Sequence, residues 1–264
     1  MLMEVKNQIK ILVLTVKYNI MRQMVNKVTF VTNILFMILN NLSFIVQWII
    51  LFSLKDEIGG YTMKEVVLLW GMAAGVFGVS HIFFYKAFEL PDLIINGKLD
   101  SFLVQPKNVL LSVISSDTSV SAIGDLIYAY MCLAIYGITL QNFILFTIFI
   151  ITGGIILTAF VSIAGSICFW ITRGDALADS LANKMLNFAT YPGSIFKTGI
   201  KMLLYTVVPV GIANYLPVDT ILNFNILNFI YIIAFTVLIT VLAFVIFYKG
   251  LKRYSSSNLM SSRI

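Results

Sequence analysis

The chain has 264 residues, of which 59% are hydrophobic and only 11% charged, and its mean hydropathy is +0.95. A soluble domain carries about 25% charged residues and could not hide this much apolar surface, so a water-soluble protein is excluded and the solvent must be lipid. The net charge of +6 then reports orientation in a membrane, not nucleic-acid binding.

The opening residues lack the compact apolar core and small-residue cleavage site of a secretory signal. Within 1–27, Val5, Ile9, Leu12, Val13, Val16, Ile20 and Met24 recur at helical spacing, and Lys6, Lys10 and Lys17 lie off that stripe. The pattern predicts an amphipathic basic helix in the headgroup region. A first span follows over 28–54, interrupted by Asn33, Asn40, Asn41 and Gln47. Lipid offers such side chains no partner, so they are expected to face other helices or a cavity. Gly59 and Gly60 mark a turn. The second span, 66–85, carries Gly71 and Gly75, a small-xxx-small pair that lets two helix backbones approach closely. His81, near its inner end, reads as a hydrogen-bonded packing residue.

A polar interval over 86–122 leads to a third span at 123–139 and a fourth at 143–171, joined by LQNF as a tight hairpin. Cys132 and Cys168 fall inside these apolar runs and read as small packing residues. The region 172–225 is ambiguous: 176–195 is helical but polar, and 198–216 is apolar but broken at Pro209 and Gly211. Either piece supplies one crossing, and the other lies in the interface or re-enters. The last span is 226–248, and the tail is basic, then Ser-rich. The result is one all-α polytopic membrane domain over 1–264 with six spans. With the N-terminus in the cytoplasm, at least fourteen basic residues, from Lys6 to Arg263, lie inside, against at most four outside: Lys55, Lys64, Lys197 and Lys201. The positive-inside rule therefore puts both termini in the cytoplasm.

No GxxxxGK[ST] loop is present, so the chain is not expected to hydrolyse ATP. No metal-ligand or nucleophile spacing appears either, so neither a catalytic site nor a metal or cofactor is expected. Carboxylates are scarce at membrane depth, which argues against a proton-driven carrier; Asp125, at the inner end of the third span, is the exception.

The most informative stretch is cytoplasmic, YKAFELPDLIINGKLDSFLVQPKNVLL. Pro91 suits the first turn of a short helix and Asp92 its positive end. Leu90, Leu93 and Ile94 form one apolar face, and Gly97 is a natural stop. Leu99, Phe102, Leu103 and Val104 make a second apolar cluster, closed by Pro106. Apolar residues rimmed by charge in a cytosolic loop predict a docking surface.

At these residues the chain resembles permease subunits of ATP-binding-cassette transporters of the type-2 exporter class, in the small bacterial six-span subfamily. GKLDSFLVQPKN, the YPGSIF…VVPVGIANYLPV stretch and the terminal GLKRYSSSN carry the likeness, which covers essentially the whole chain. The resemblance implies a separate ATPase subunit that holds ATP and Mg²⁺, and a second permease chain, alike or different. It implies a bacterial cytoplasmic membrane and a coupling helix over 89–100, within the loop 86–108. Leu90, Leu93 and Ile94 would enter a groove on the ATPase, with Glu89, Asp92, Lys98 and Asp100 around it. The N-terminal helix would be an interface helix. The fifth span would be 176–195, and 196–217 an external re-entrant hairpin. Asn33, Asn40 and Gln47 would line the entrance to the translocation path. The competing readings are a membrane scaffold or assembly protein, which needs no docking helix, and a secondary transporter, for which six spans are few. A neighbouring ATPase gene would separate them.

Overall fold

The computed structural model describes residues 2–171 and 173–255, all helices and connecting turns apart from an isolated bridge between Ile58 and Tyr61. Arg263, the Ser-rich tail from Ser256 onward and the side chains of Val5, Lys6 and Ile9 lie outside the described residues. Helix α1 spans Leu2–Gln23 and α2 Lys27–Phe52, the latter capped where the Asn26 side chain accepts from the Thr29 amide at 3.2 Å. Helix α3 spans Met63–Phe84, opened by a Thr62 amide that donates to Glu65 at 2.7 Å. After it come three short helices, α4 Leu90–Ile95, α5 Asp100–Leu103 and α6 Val109–Ile114.

Helices α7 (Ala122–Tyr136) and α8 (Leu140–Ser166) form the expected hairpin, with a shifted link. The turn is residues 137–139, because Thr139 accepts from the Asn142 amide at 3.1 Å and so starts α8 at LQNF. Then come α9 (Gly174–Ala189), α10 (Thr198–Thr206), a π-turn at Gly211–Tyr215 leading into α11 (Leu216–Leu222), and α12 (Ile226–Leu251). Among the described residues, four helical stretches are long and apolar enough to cross a membrane, or five if the bent pair α10 and 211–222 counts as one span.

Helix α3 is the centre of the bundle, with 89% of its most apolar window buried, whereas α2 at 6% is on the rim. The glycines of α3 explain this. A Cβ on Gly71 would stand 2.6 Å from Cys132 Cβ, and one on Gly78 3.2 Å from the Ala122 carbonyl, so α3 and α7 touch backbone to backbone. Cys132 and Cys168 are free and buried, as packing residues. His81 is buried too, 3.1 Å from the Phe77 carbonyl and stacked on the Phe77 ring.

Contacts between distant residues define the two ends of the bundle. At one end Ser194 Oγ donates to the Gly59 carbonyl, and the Tyr61 hydroxyl donates to Asp219 at 2.7 Å. Burial and the Asp219 bond push the Tyr61 phenol well above its ordinary range. At the other end Leu90 packs on Gly165 of α8, and Phe169 on Phe247 of α12. Helix α9 starts beside Cys168 at this second end. It finishes at the first, where Tyr215 donates to the Phe188 carbonyl and Tyr191 lies 6.1 Å from Trp48. Its 16 residues cover about 24 Å at 1.5 Å per residue. The pair α10 and 211–222, bent by 83°, begins and ends at the first end. Its π-turn sinks inward to Gly153 of α8, whose Cβ would lie 2.8 Å from the Ala213 carbonyl.

The helices α4–α6 form a knob at the second end. Gly97, at φ +67°, closes α4 with paired bonds: the Lys98 amide to the Leu93 carbonyl at 2.9 Å and the Gly97 amide to Ile94 at 3.3 Å. Left-handed backbone disfavours a Cβ by about 1–2 kcal/mol. Gly97→Ala is therefore expected to lower the thermal midpoint of the detergent-solubilised protein by a few degrees, read by fluorescence-detected size exclusion. An unchanged midpoint would remove this turn from the structure's determinants.

Candidate functional site

The knob is braced against the bundle by its apolar side chains. Leu90 and Ile94 are fully buried, and Leu93 nearly so, in a cluster with Leu99, Leu110, Val113, Cys168 and Phe247. The expectation that Leu90, Leu93 and Ile94 form an exposed docking face is therefore corrected. An apolar face needs a cover, and here the chain's own α6, α8 and α12 supply it. What the knob presents outward is Asp92, Lys98, Ser101, Leu103, Val104 and Lys107, with Val104 84% exposed. Lys98 Nζ reaches Asp92 at 2.7 Å, and Asn96 also donates to Asp92. Glu89 is paired to Lys86 at 2.5 Å, and Asp100 is partly buried at the start of α5.

Helix α1 lies against the stretch that follows the knob. Asn19 donates to the Ser116 carbonyl at 3.1 Å, Gln23 to Thr118 at 2.8 Å, and Arg22 pairs with Asp117 at 3.0 Å. Of the apolar stripe, Val16 is buried and Leu12 and Ile20 pack beside it, while Lys10 and Lys17 are exposed.

Asn33, Asn40 and Gln47 are all exposed, and they recur every seven residues along α2. At 3.6 residues per turn this puts three amides in one stripe on a helix of membrane-spanning length. Asn40 and Gln47 also edge a cavity of about 630 Å³ between α2, α3, α9 and the π-turn; Asn33 does not.

Sequence reasoning missed the interior of that cavity. Asn41 donates to Asp125 Oδ1 at 2.7 Å, tying α2 to α7. Asp125 Oδ2, Asn214 Oδ1 and the Trp70 indole nitrogen are buried without a hydrogen-bond partner. The signal was partial: Asp125 stands out as a carboxylate near a span, but only the fold brings Asn41 to it and Trp70 and Asn214 into the same cavity.

Residues 36–258 match the model of a family described as ABC-2 family transporter protein. No curated protein and no solved structure matches the chain.

Proposed function

The chain belongs to the ABC-2 family of transporter proteins, as a multi-pass membrane permease, and from this membership we propose that it is the transport subunit of an ATP-driven exporter. It works as a dimer with a separate ATPase that holds ATP and Mg²⁺, and has no catalytic site of its own. The membrane is the bacterial cytoplasmic membrane. The chain crosses it six times, by α2, α3, α7, α8, α9 and α12, with both termini inside. The end-to-end path of α9 supports the fifth crossing, and the bent pair is then an external re-entrant segment. The polar exposed face of α9, with Asp179, Lys184 and Asn187, turns toward the second copy and the water-filled path.

The observation that carries this reading is the braced knob. Its outer tip is exposed and its inner face is fixed to α8, so a push on the tip moves the bundle as a lever. Leu90 seats on Gly165 of α8, and α8 carries the π-turn at Gly153. Closure of the ATPases against Lys98, Leu103 and Val104 thus reaches both the path and its outer re-entrant segment. The exposed ladder Asn33, Asn40 and Gln47 faces the second copy.

The reading is tested by expressing the tagged chain with the products of its neighbouring genes, purifying in mild detergent, and labelling single cysteines in vesicles. The native Cys132 and Cys168 are buried, so background labelling is low. An ATPase is expected to copurify; Lys98→Cys is expected to react from the cytoplasmic side and Lys55→Cys from the outside. A Lys98→Cys protein labelled only from outside would falsify the arrangement.

A further inference from the structure

Among the described residues that line the cavity beside α2, one is acidic and none is basic: Asp125 is the sole charged group. Asp125 is 3% exposed, and Asn41 satisfies only one of its oxygens. The other oxygen and Asn214 Oδ1, 1% exposed, are two buried acceptors without donors. A buried carboxylate needs a counter-charge or a proton, and none of the described side chains lining the cavity supplies a positive charge. The remaining wall is aromatic. Phe44 stacks on Trp70 at 5.5 Å, Trp48 lies 6.1 Å from Tyr191, and Phe77 adds another ring. Rings of this kind attract a cation over their faces. The lining along α2 runs from Met37 to Leu51, about 21 Å of helix, and the volume lies within the range of small-molecule pockets.

From these observations we infer that the cavity binds an amphiphilic amine, with the ammonium on Asp125 and Asn214 and the apolar chain along α2 between the aromatic rings. Ammonium hydrogens supply the donors both acceptors lack, and its charge offsets the carboxylate. An anionic or uncharged amphiphile offers no such pairing. As a statement about cargo this rests on the permease reading; as a statement about binding it does not, because the isolated chain is enough to measure it.

The test uses the purified full chain in phosphatidylcholine nanodiscs, with dodecylammonium and dodecanol as probes and the emission of Trp48 and Trp70 as readout. Dodecylammonium is expected to shift the emission saturably, and to bind at least about tenfold more weakly to Asp125→Asn, since hydrogen bonds to charged groups are the strong ones. Dodecanol is expected to bind weakly and equally to both. If Asp125→Asn fails to fold, Asn214→Ser reads the second acceptor, with the same amine-selective loss of at least about threefold. Adding phosphatidylethanolamine separates two sources of the chemistry: competition assigns the amine headgroup of a lipid, and its lack a free amine. Equal amine binding by wild type and Asp125→Asn, or dodecanol binding as tightly as the amine, overturns the inference and leaves Asp125 held by a proton. ATPase copurification is unaffected by either result, so the permease reading stands or falls separately.

Discussion

Leu93→Asp with Ile94→Asp is expected to abolish the folded permease, whereas Leu103→Asp with Val104→Asp is expected to leave it folded and release its ATPase. The difference follows from where the side chains sit. Leu93 and Ile94 are buried in an apolar cluster with Leu110, Val113 and Phe247. Loss of two large apolar side chains alone costs about 2–5 kcal/mol each, and the desolvated carboxylates add to that. Against a total stability of about 5–15 kcal/mol, the knob cannot stay docked. Leu103 and Val104 are 40% and 84% exposed, and charge there disturbs only what binds from outside. Membrane yield, the size-exclusion profile and ATPase copurification separate the two cases. A monodisperse, ATPase-bound Leu93→Asp/Ile94→Asp protein would show that these residues brace nothing.

That contrast also shows what the sequence made legible. Period and length located the helices: α2, α3, α7 and α12 begin and end within a few residues of the spans read from apolar runs, because lipid demands long, nearly uninterrupted apolar segments. Gly97 as a helix stop followed from local backbone chemistry. The direction in which α4 faces did not. An apolar face announces that it will be covered, but whether the cover is a partner or another part of the chain depends on contacts such as Leu90 with Gly165, 75 positions away. The same holds for 172–225. Helix α9 is polar on its exposed face and reads poorly as a span, and Pro209 and Gly211 hide the bend in the next segment. Only the bonds from Ser194 to Gly59 and from Tyr61 to Asp219 fix which end of the bundle those residues occupy. Within the cavity, Asn40 and Gln47 were visible because amides are rare in lipid-length helices. Trp70 and Asn214 were not, since nothing local marks a side chain as unpartnered.

If the chain works as the proposed dimer, replacing Asn33, Asn40 and Gln47 together by Leu is expected to separate its two copies. Helices α2 and α12 are both on the rim, with 6% and 22% of their apolar windows buried, but their outer faces differ. The exposed side chains of α12 between Ile226 and Val245 include Ile230, Val237, Leu238, Val241 and Leu242. Its Thr236 and Thr240 hydroxyls donate to the helix's own carbonyls at 2.7 Å. Lipid can cover such a surface at no cost. The α2 stripe would leave three amides in hydrocarbon, so a second copy is the cheaper cover, and a repeat of seven residues lets two such helices meet amide to amide along their length. Interhelical hydrogen bonds in membranes are worth about 0.6–1.7 kcal/mol each, so three amounts to roughly 2–5 kcal/mol, a weakening of about 30-fold or more. The measurement is the monomer–dimer equilibrium in detergent or bilayer, by cross-linking or single-molecule subunit counting. Because Leu suits lipid better than Asn or Gln does, the triple variant is expected to fold and insert normally. A dimer of unchanged strength would mean that the amides face lipid or water, and the partner chain would have to sit on another face.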